Sequence, residues 1–227
     1  MGLTGKTAIL LGATGLTGTF LTHILLGDHR YVKVKSFSRS PIGFSHPKLE
    51  EYLVDVLELK NNEGDFIGDE VFCCVGTTKD KTPNKNAYKK IDYGIPVSAA
   101  RLCKDKNMKT FIVISSLGAD AKSPVFYNRT KGEMEEEVIG LQVAKTHILR
   151  PSLISGSRKE RRVGEWLAKQ MMKAVDPLLL GSLKKYRSIG PNAIAKSMVW
   201  LANTDYEHVY VESDQIHRIS EKALGDD

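Results

Sequence analysis

Tyr127 and Lys131 stand four residues apart in Tyr-Asn-Arg-Thr-Lys, a spacing that on a helix brings both side chains onto one face. A phenol beside an ammonium can exchange a proton with a carbonyl or an alcohol near neutral pH, because the positive charge favours the phenolate. The same lysine can hold ribose hydroxyls. Spacing alone is a weak signal, since Tyr31-Val-Lys-Val-Lys35 matches it inside a β-branched run that reads as a strand. Tyr127 differs in following a run that ends in Ile114-Ser115-Ser116, and side chains at the carboxyl ends of strands face the ligand crevice of open α/β sheets. Ser116 is the candidate for steadying a substrate oxygen, with Ser115 as its rival and a plain strand-end cap as the alternative. For the pair, the alternative is an exposed coincidence of spacing.

A second group of residues could hold a phosphate-bearing cofactor. Gly12-Ala-Thr-Gly15-Leu-Thr-Gly18 follows the first apolar run and opens a helix-period segment. The first glycine permits a tight turn, the second lets backbone approach a pyrophosphate, and the third lets helix pack closely on strand. Gly12, Thr14, Gly15, Leu16, Thr17 and Gly18 are therefore the candidate cradle, with the free N–H groups of a helix N-terminus turned to the phosphates. A P-loop is excluded, because the run has no Gly-Lys-Ser/Thr.

After the second apolar run, the acid that would bind the ribose hydroxyls of NAD is missing, and the chain reads Phe37-Ser38-Arg39-Ser40. An acid there would repel a 2′-phosphate, whereas the planar guanidinium of Arg39 and the flanking hydroxyls would bind it. NADP(H) is thus favoured over NAD(H), against the alternative that Arg39 is an ordinary surface arginine. Asp55, at the end of the third run, could reach an adenine edge. Gly76, Thr77 and Thr78, at the end of the fourth, could let a ribose pass close to backbone.

The elements that must position these residues read as alternating strands and helices. Strand-like runs fall at Thr7–Leu11, Tyr31–Phe37, Glu51–Val54, Val71–Val75, Thr110–Ser115 and His147–Leu149. Helical periods fall at Leu16–Leu26, Ala87–Lys106, Val125–Ile139, Gly164–Ala174 and Asn192–Ala202. Continuous apolar strands signal a parallel sheet covered on both faces, so the expected fold is α/β, a doubly wound parallel sheet in one domain. After Pro151 the alternation fades, and residues 152–190 read as a small basic lobe on the substrate side.

With 227 residues, 41% of them hydrophobic, the chain can bury a sizeable core, which excludes disordered and low-complexity classes. No run approaches the ~18 apolar residues of a spanning helix, and Met1–Lys6 has no secretory signal, so the expectation is a cytoplasmic protein. Cys73, Cys74 and Cys103 have neither metal spacing nor an even disulfide set and read as buried, reduced fillers. No metal is expected. The formal charge is +6, and Ser157–Arg187 holds nine basic residues against three acidic ones, enough to account for it. Such a surface could draw an anionic substrate, an acidic lipid face or a protein. Nucleic acid is disfavoured, because base-stacking aromatics are not interleaved with the basic residues. Trp166, Leu167, Met171, Val175 and Leu178–Leu180 read as a core or pocket-wall stripe, with an interfacial membrane helix as the alternative, and His147 as a core or strand-edge residue.

Together these motifs resemble the short-chain dehydrogenase/reductase superfamily, more narrowly its atypical members of the Tat-interacting-protein oxidoreductase type, related to NmrA-like proteins. The resemblance is carried by GATGLTG at Gly12–Gly18, VGTT at Val75–Thr78, ISSLGA at Ile114–Ala119, YNRTKGEME at Tyr127–Glu135 and LRPSLISG at Leu149–Gly156. It implies a Rossmann domain binding NADP(H), with Tyr127 as proton donor or acceptor, Lys131 supporting the tyrosine and the nicotinamide ribose, and Ser116 orienting the substrate. Pro151 and the residues after it would lie by the nicotinamide. The short lobe after Pro151 disfavours a nucleotide-sugar substrate. The reading is a reductase of a small-molecule carbonyl or related acceptor; the alternative is a non-catalytic NADP-binding regulator that meets a partner through its basic surface. A homodimer through the helices flanking Tyr127 is left open.

Overall fold

The structure, a computed structural model, describes residues 5–155 and 181–223. Seven strands form one sheet: β1 (Lys6–Leu11), β2 (Tyr31–Ser38), β3 (Leu49–Leu53), β4 (Glu70–Cys73), β5 (Thr110–Ile114), β6 (Lys145–Arg150) and β7 (Tyr210–Glu212). Every pairing is parallel, in the order β3-β2-β1-β4-β5-β6-β7. The expected doubly wound α/β sheet is therefore present. From β1 the chain runs to β2 and β3 on one side, then crosses to β4 on the other, so the topological switch lies between β1 and β4. Ligands bind outside the carboxyl ends of strands at such a switch. The register brings Leu11 level with Phe37 and with Cys73, so β1, β2 and β4 end together there.

The strands are apolar on both sides because helices cover both faces. Ala8, Leu10, Phe72, Ile112 and Leu149 point to one face, where they meet α1 (Leu16–Gly27), α5 (Pro191–Asn203) and α6 (Ser213–Lys222) through Leu21, Leu25, Ile194, Met198 and Ile216. Ile9, Leu11, Val71, Phe111 and Ile148 point to the other. There they pack on a 3-10 helix at Val56–Asn62, on α3 (Ile95–Asp105) and on α4 (Phe126–Gly140) through Leu59, Leu102, Met134 and Val138. At ~25 cal/mol per Å² of apolar surface, either cluster far outweighs any single polar contact.

The helix expected at Ala87–Lys106 is broken. It begins as α2 (Lys85–Lys89), opens into a π turn at Lys90–Gly94 and resumes as α3. Pro96 is the cause: it has no N–H to give the carbonyl four residues back, at Asp92, and its ring crowds that carbonyl. The backbone takes the wider spacing instead, and the Ile95 N–H donates to Lys90 O, five residues back.

Beyond Pro151 the alternation does not end, as the sequence had suggested. α5 is followed by β7 and α6, two elements the sequence reading missed. β7 has three residues, too few for a period, and α6 starts at once with a capping box between Glu212 and Gln215. Most of the basic stretch Ser157–Arg187, the helix expected at Gly164–Ala174 and the apolar stripe from Trp166 to Leu180 lie outside the described residues. Of the three free cysteines, Cys73 and Cys103 are buried as expected, whereas Cys74 is half-buried against Met198.

Candidate functional site

The glycine turn needs its glycines for steric reasons. Gly12 sits at φ +83° and a Cβ there would stand 2.9 Å from the Cys74 carbonyl. At Gly18 a Cβ would fall 2.0 Å from Gly12 O, and at Gly15 3.1 Å from the same oxygen. The Gly15 N–H donates back to Gly12 O at 2.9 Å, closing the turn. Gly15 caps α1 with no side chain, and its first turn carries no acid. The first-turn N–H groups, those of Leu16, Thr17 and Gly18 among them, have no intrahelical carbonyl, and the positive end of α1 is bare toward the switch. Thr14 is exposed in the turn, while Thr17 and Gly18 are buried against the sheet.

Around the turn lie the other expected contacts. Arg39 is exposed at the end of β2, and no partner of its guanidinium is found among the described residues. Ser38 beside it is tied to Ser40 O. Asp55 is exposed but already occupied in part: its Oδ1 accepts the Leu57 N–H at 3.0 Å and caps the 3-10 helix. Gly76, Thr77 and Thr78 follow β4; Thr77 Oγ1 pairs with Thr82 Oγ1 at 2.9 Å, and Thr78 is exposed.

Tyr127 and Lys131 share α4, in its first two turns. Lys131 is buried, and its Nζ lies 2.9 Å from Asp92 Oδ1 and 3.5 Å from the carbonyl of Ile114 at the end of β5. Burial alone would pull the ammonium down, but Asp92, with the Tyr127 phenol, more than offsets it and holds the lysine above its ordinary range. Tyr127 is 37% exposed, with Val125 next to it more exposed still, and its ring meets Tyr88 edge-on at 5.9 Å. Ser115 and Ser116 are both buried at the end of β5, and neither hydroxyl has a hydrogen-bond partner. The Leu117 N–H donates to Pro151 O at 2.9 Å, so Pro151, buried just past β6, stands beside this serine corner.

The Tyr31–Lys35 spacing is a coincidence. It lies along β2, and Tyr31 is buried at the opposite end of the sheet with its hydroxyl on Glu70. His147 is buried on β6 with Nδ1 at 3.0 Å from His208 O, as a core residue.

Several residues that hold the site escaped the sequence reading. Gly132 lets the loop after β5 lie directly on α4: a Cβ there would be 2.0 Å from Ala121 N. Arg150 pairs with Glu135 on α4 and Glu212 at the end of β7, with its guanidinium 4.0 Å from the Tyr210 ring centroid, so the helix carrying Tyr127 is clamped to the sheet edge. Asp92 is the third, and its signal was Pro96 inside a helical period, which forecasts a break at that residue. Among the described residues no cluster of His, Cys, Asp and Glu could hold a metal.

No family model matches the chain. Curated relatives do. FMP52 of Meyerozyma guilliermondii, named mitochondrial, is 36% identical over 67% of this chain and 66% of its own length. HTATIP2 of Rattus norvegicus is 33% identical over 73% of this chain and 69% of its own. The match thus spans about two thirds of each relative. Among solved structures, a short-chain dehydrogenase from Burkholderia cenocepacia in complex with NADP superposes with a TM-score of 0.66 at 13% identity, covering 100% of this chain and 95% of that one. The expectation of a cytoplasmic protein is corrected here, because the FMP52 relatives of several fungi are named mitochondrial. A missing secretory signal bears on export and leaves an organelle open. No described helix is long and apolar enough to cross a membrane.

Proposed function

The chain belongs to the atypical branch of the short-chain dehydrogenase/reductase superfamily, with HTATIP2 and the FMP52 proteins among its relatives, and on that premise we propose that it is an NADPH-dependent reductase of a small-molecule carbonyl or related acceptor. The observation that carries the reading is a convergence. The Lys131 ammonium lies 3.9 Å from where a Cβ on Gly76 would stand, so the tyrosine-lysine helix meets the turn after β4 at the sheet's topological switch. NADP in the Burkholderia structure and NAD in others of the same fold support a nicotinamide cofactor, and the preference for NADP rests on Arg39.

Residue by residue, Gly12 to Gly18 would receive the pyrophosphate on bare N–H groups, and Arg39, whose guanidinium has no partner among the described residues, would bind the 2′-phosphate. When bound, NADPH supplies a hydride for the substrate carbonyl carbon. Tyr127 Oη delivers the proton to the carbonyl oxygen, giving the alcohol, and Ser116 Oγ steadies that oxygen with a hydroxyl now lacking any partner. Lys131, charged, supports the phenolate left behind and reaches toward the ribose. Val125, two residues before Tyr127, and Leu153, two residues after Pro151, are exposed apolar side chains, which would suit an acceptor with a hydrophobic body.

A titration with NADPH and NADH, read by cofactor fluorescence and followed by a panel of carbonyl compounds, tests this directly. NADPH should bind more tightly and be oxidised by at least one panel member. Tyr127→Phe should keep cofactor affinity and lose about 100- to 10,000-fold in turnover. Unchanged turnover would remove Tyr127 from the chemistry, and failure to bind either nucleotide would reject the cradle.

A further inference from the structure

The carboxylate beneath Lys131 has no place in the chemistry just described, yet it is among the most enclosed charges in the described protein. Asp92 is 1% exposed and sits on the π turn that Pro96 forces. Its Oδ1 takes the Lys131 ammonium at 2.9 Å, and its Oδ2 accepts the Thr77 N–H at 2.8 Å. A Cβ on Gly76 would come within 3.5 Å of Oδ1. One carboxylate therefore joins the π turn, α4 and the turn after β4. In a regular helix the position would rotate away, so the break in the helix is what delivers the charge. Single π turns of this kind recur at functional sites.

Three other titratable groups face the pair. Tyr88, on α2, is buried beside Asp92; burial first and Asp92 second push its phenol well up, so it stays neutral. Cys73, on β4, is pushed by burial to about 11 and stays a thiol. Tyr127, on α4, is the one phenol of the group open to the crevice. Lys131 and Asp92 are thus the two charges in an otherwise neutral pocket, and an ammonium buried there without its counter-ion would shed its proton.

We propose that Asp92 is a positioning residue for the reductase: it keeps the Lys131 ammonium charged and aimed at Tyr127, and by the same carboxylate holds the Gly76–Thr77 turn, which would receive the nicotinamide ribose. This rests on the tyrosine-lysine reading above. The consequence is a coupling of proton chemistry to nucleotide binding through one side chain. Asp92→Asn keeps the size and an oxygen for the Thr77 N–H while deleting the charge, so it separates electrostatics from shape.

The test follows Lys131 and turnover together. By NMR of 13C-methylated lysines, the Lys131 signal, identified by its loss in Lys131→Met, should remain protonated to higher pH than those of the exposed lysines in the unsubstituted protein. A signal that titrates with or below the exposed lysines would overturn the proposal without any Asp92 variant having to fold. In Asp92→Asn that titration, the alkaline fall of kcat and the alkaline fall of NADPH affinity should all move down together by a unit or more, with kcat reduced about ten- to hundredfold. Superimposable pH profiles for Asp92→Asn and the unsubstituted protein would overturn it. Tyr127→Phe, assayed alongside, keeps the two readings apart: full turnover there fails the dyad, whereas its loss beside an unshifted Asp92→Asn profile fails Asp92 alone.

Discussion

The two ends of the sheet both bury charged and hydroxyl groups, and they treat them in opposite ways. At the amino end, Glu70 gives one oxygen to Lys6 at 2.6 Å and the other to the Tyr31 hydroxyl at 2.6 Å, while Asn203 donates to Tyr31 at 2.8 Å and accepts from Lys6 at 2.8 Å. Lys145 beside them spends its ammonium on the carbonyls of Ala202 and Thr204. At the carboxyl end, the hydroxyls of Ser115 and Ser116 are buried without partners, and the exposed Arg39 guanidinium has none among the described residues. Single unpaired atoms also occur elsewhere, Ser36 Oγ, His147 Nε2 and His217 Nε2 among them, so the informative feature is that two lie side by side at the end of β5. Buried polar groups are normally paired. The amino end is a closed staple that adds stability, whereas the carboxyl end leaves the Ser115 and Ser116 hydroxyls unpaired.

That contrast can be broken by experiment, most forcefully at the staple. Glu70→Ala strands Lys6 and the Tyr31 hydroxyl and should cost about 2–4 kcal/mol in urea unfolding, discounted for a half-exposed Lys6, with NADPH affinity unchanged. A loss of affinity would mean the two ends are not independent. Arg39→Ala should do the converse. It should weaken NADPH about ten- to hundredfold and NADH hardly at all, with unfolding unmoved, and equal losses for both nucleotides would deny the 2′-phosphate contact. Ser116→Ala sharpens the difference further, because a hydroxyl with no partner contributes nothing to the fold: stability should stay within about 0.5 kcal/mol while turnover drops. A clear loss of stability would show the hydroxyl to be structural.

The smallest effect lies between the two ends, at His147. Burial depresses its pKa more than the His208 carbonyl restores it. The folded state therefore prefers the neutral ring, so this stability is complete above the unfolded value of ~6.5 and is lost as pH falls through the lowered folded value. His147→Gln should flatten that acid-side slope in a melting series from pH 7 to 5. An unchanged slope would assign it to other groups.

Much of this was legible in the chain. The runs at β1, β4 and β5 read as buried parallel strands because a covered sheet demands apolar residues on both faces. Gly12 and Gly18 could be located because tight turns and close helix contacts act between near neighbours in sequence. Tyr127 and Lys131 were visible for the same reason, four residues apart on one helix. The strand β7 was not, since three residues are too short for a period and are held by pairing with β6. The helix α6 also went unread, although its capping box lies within four consecutive residues.

The sequence by itself thus determined what local sterics and periodicity can encode: the alternating elements, the glycine turn, the absent acid after β2 and the residues able to move a proton. The tertiary structure alone decided where the two identical spacings fall relative to the sheet's topological switch. It put Tyr31 against Glu70 at the amino end and Tyr127 in the crevice, 96 positions further along. It also decided that Asp92 would meet Lys131. The two are far apart in the chain, on different helices, and their ion pair exists because Pro96 opens a helix and the buried sheet fixes how that helix lies on α4. A carboxylate's partner depends on where it is buried, and burial is a property of the whole fold.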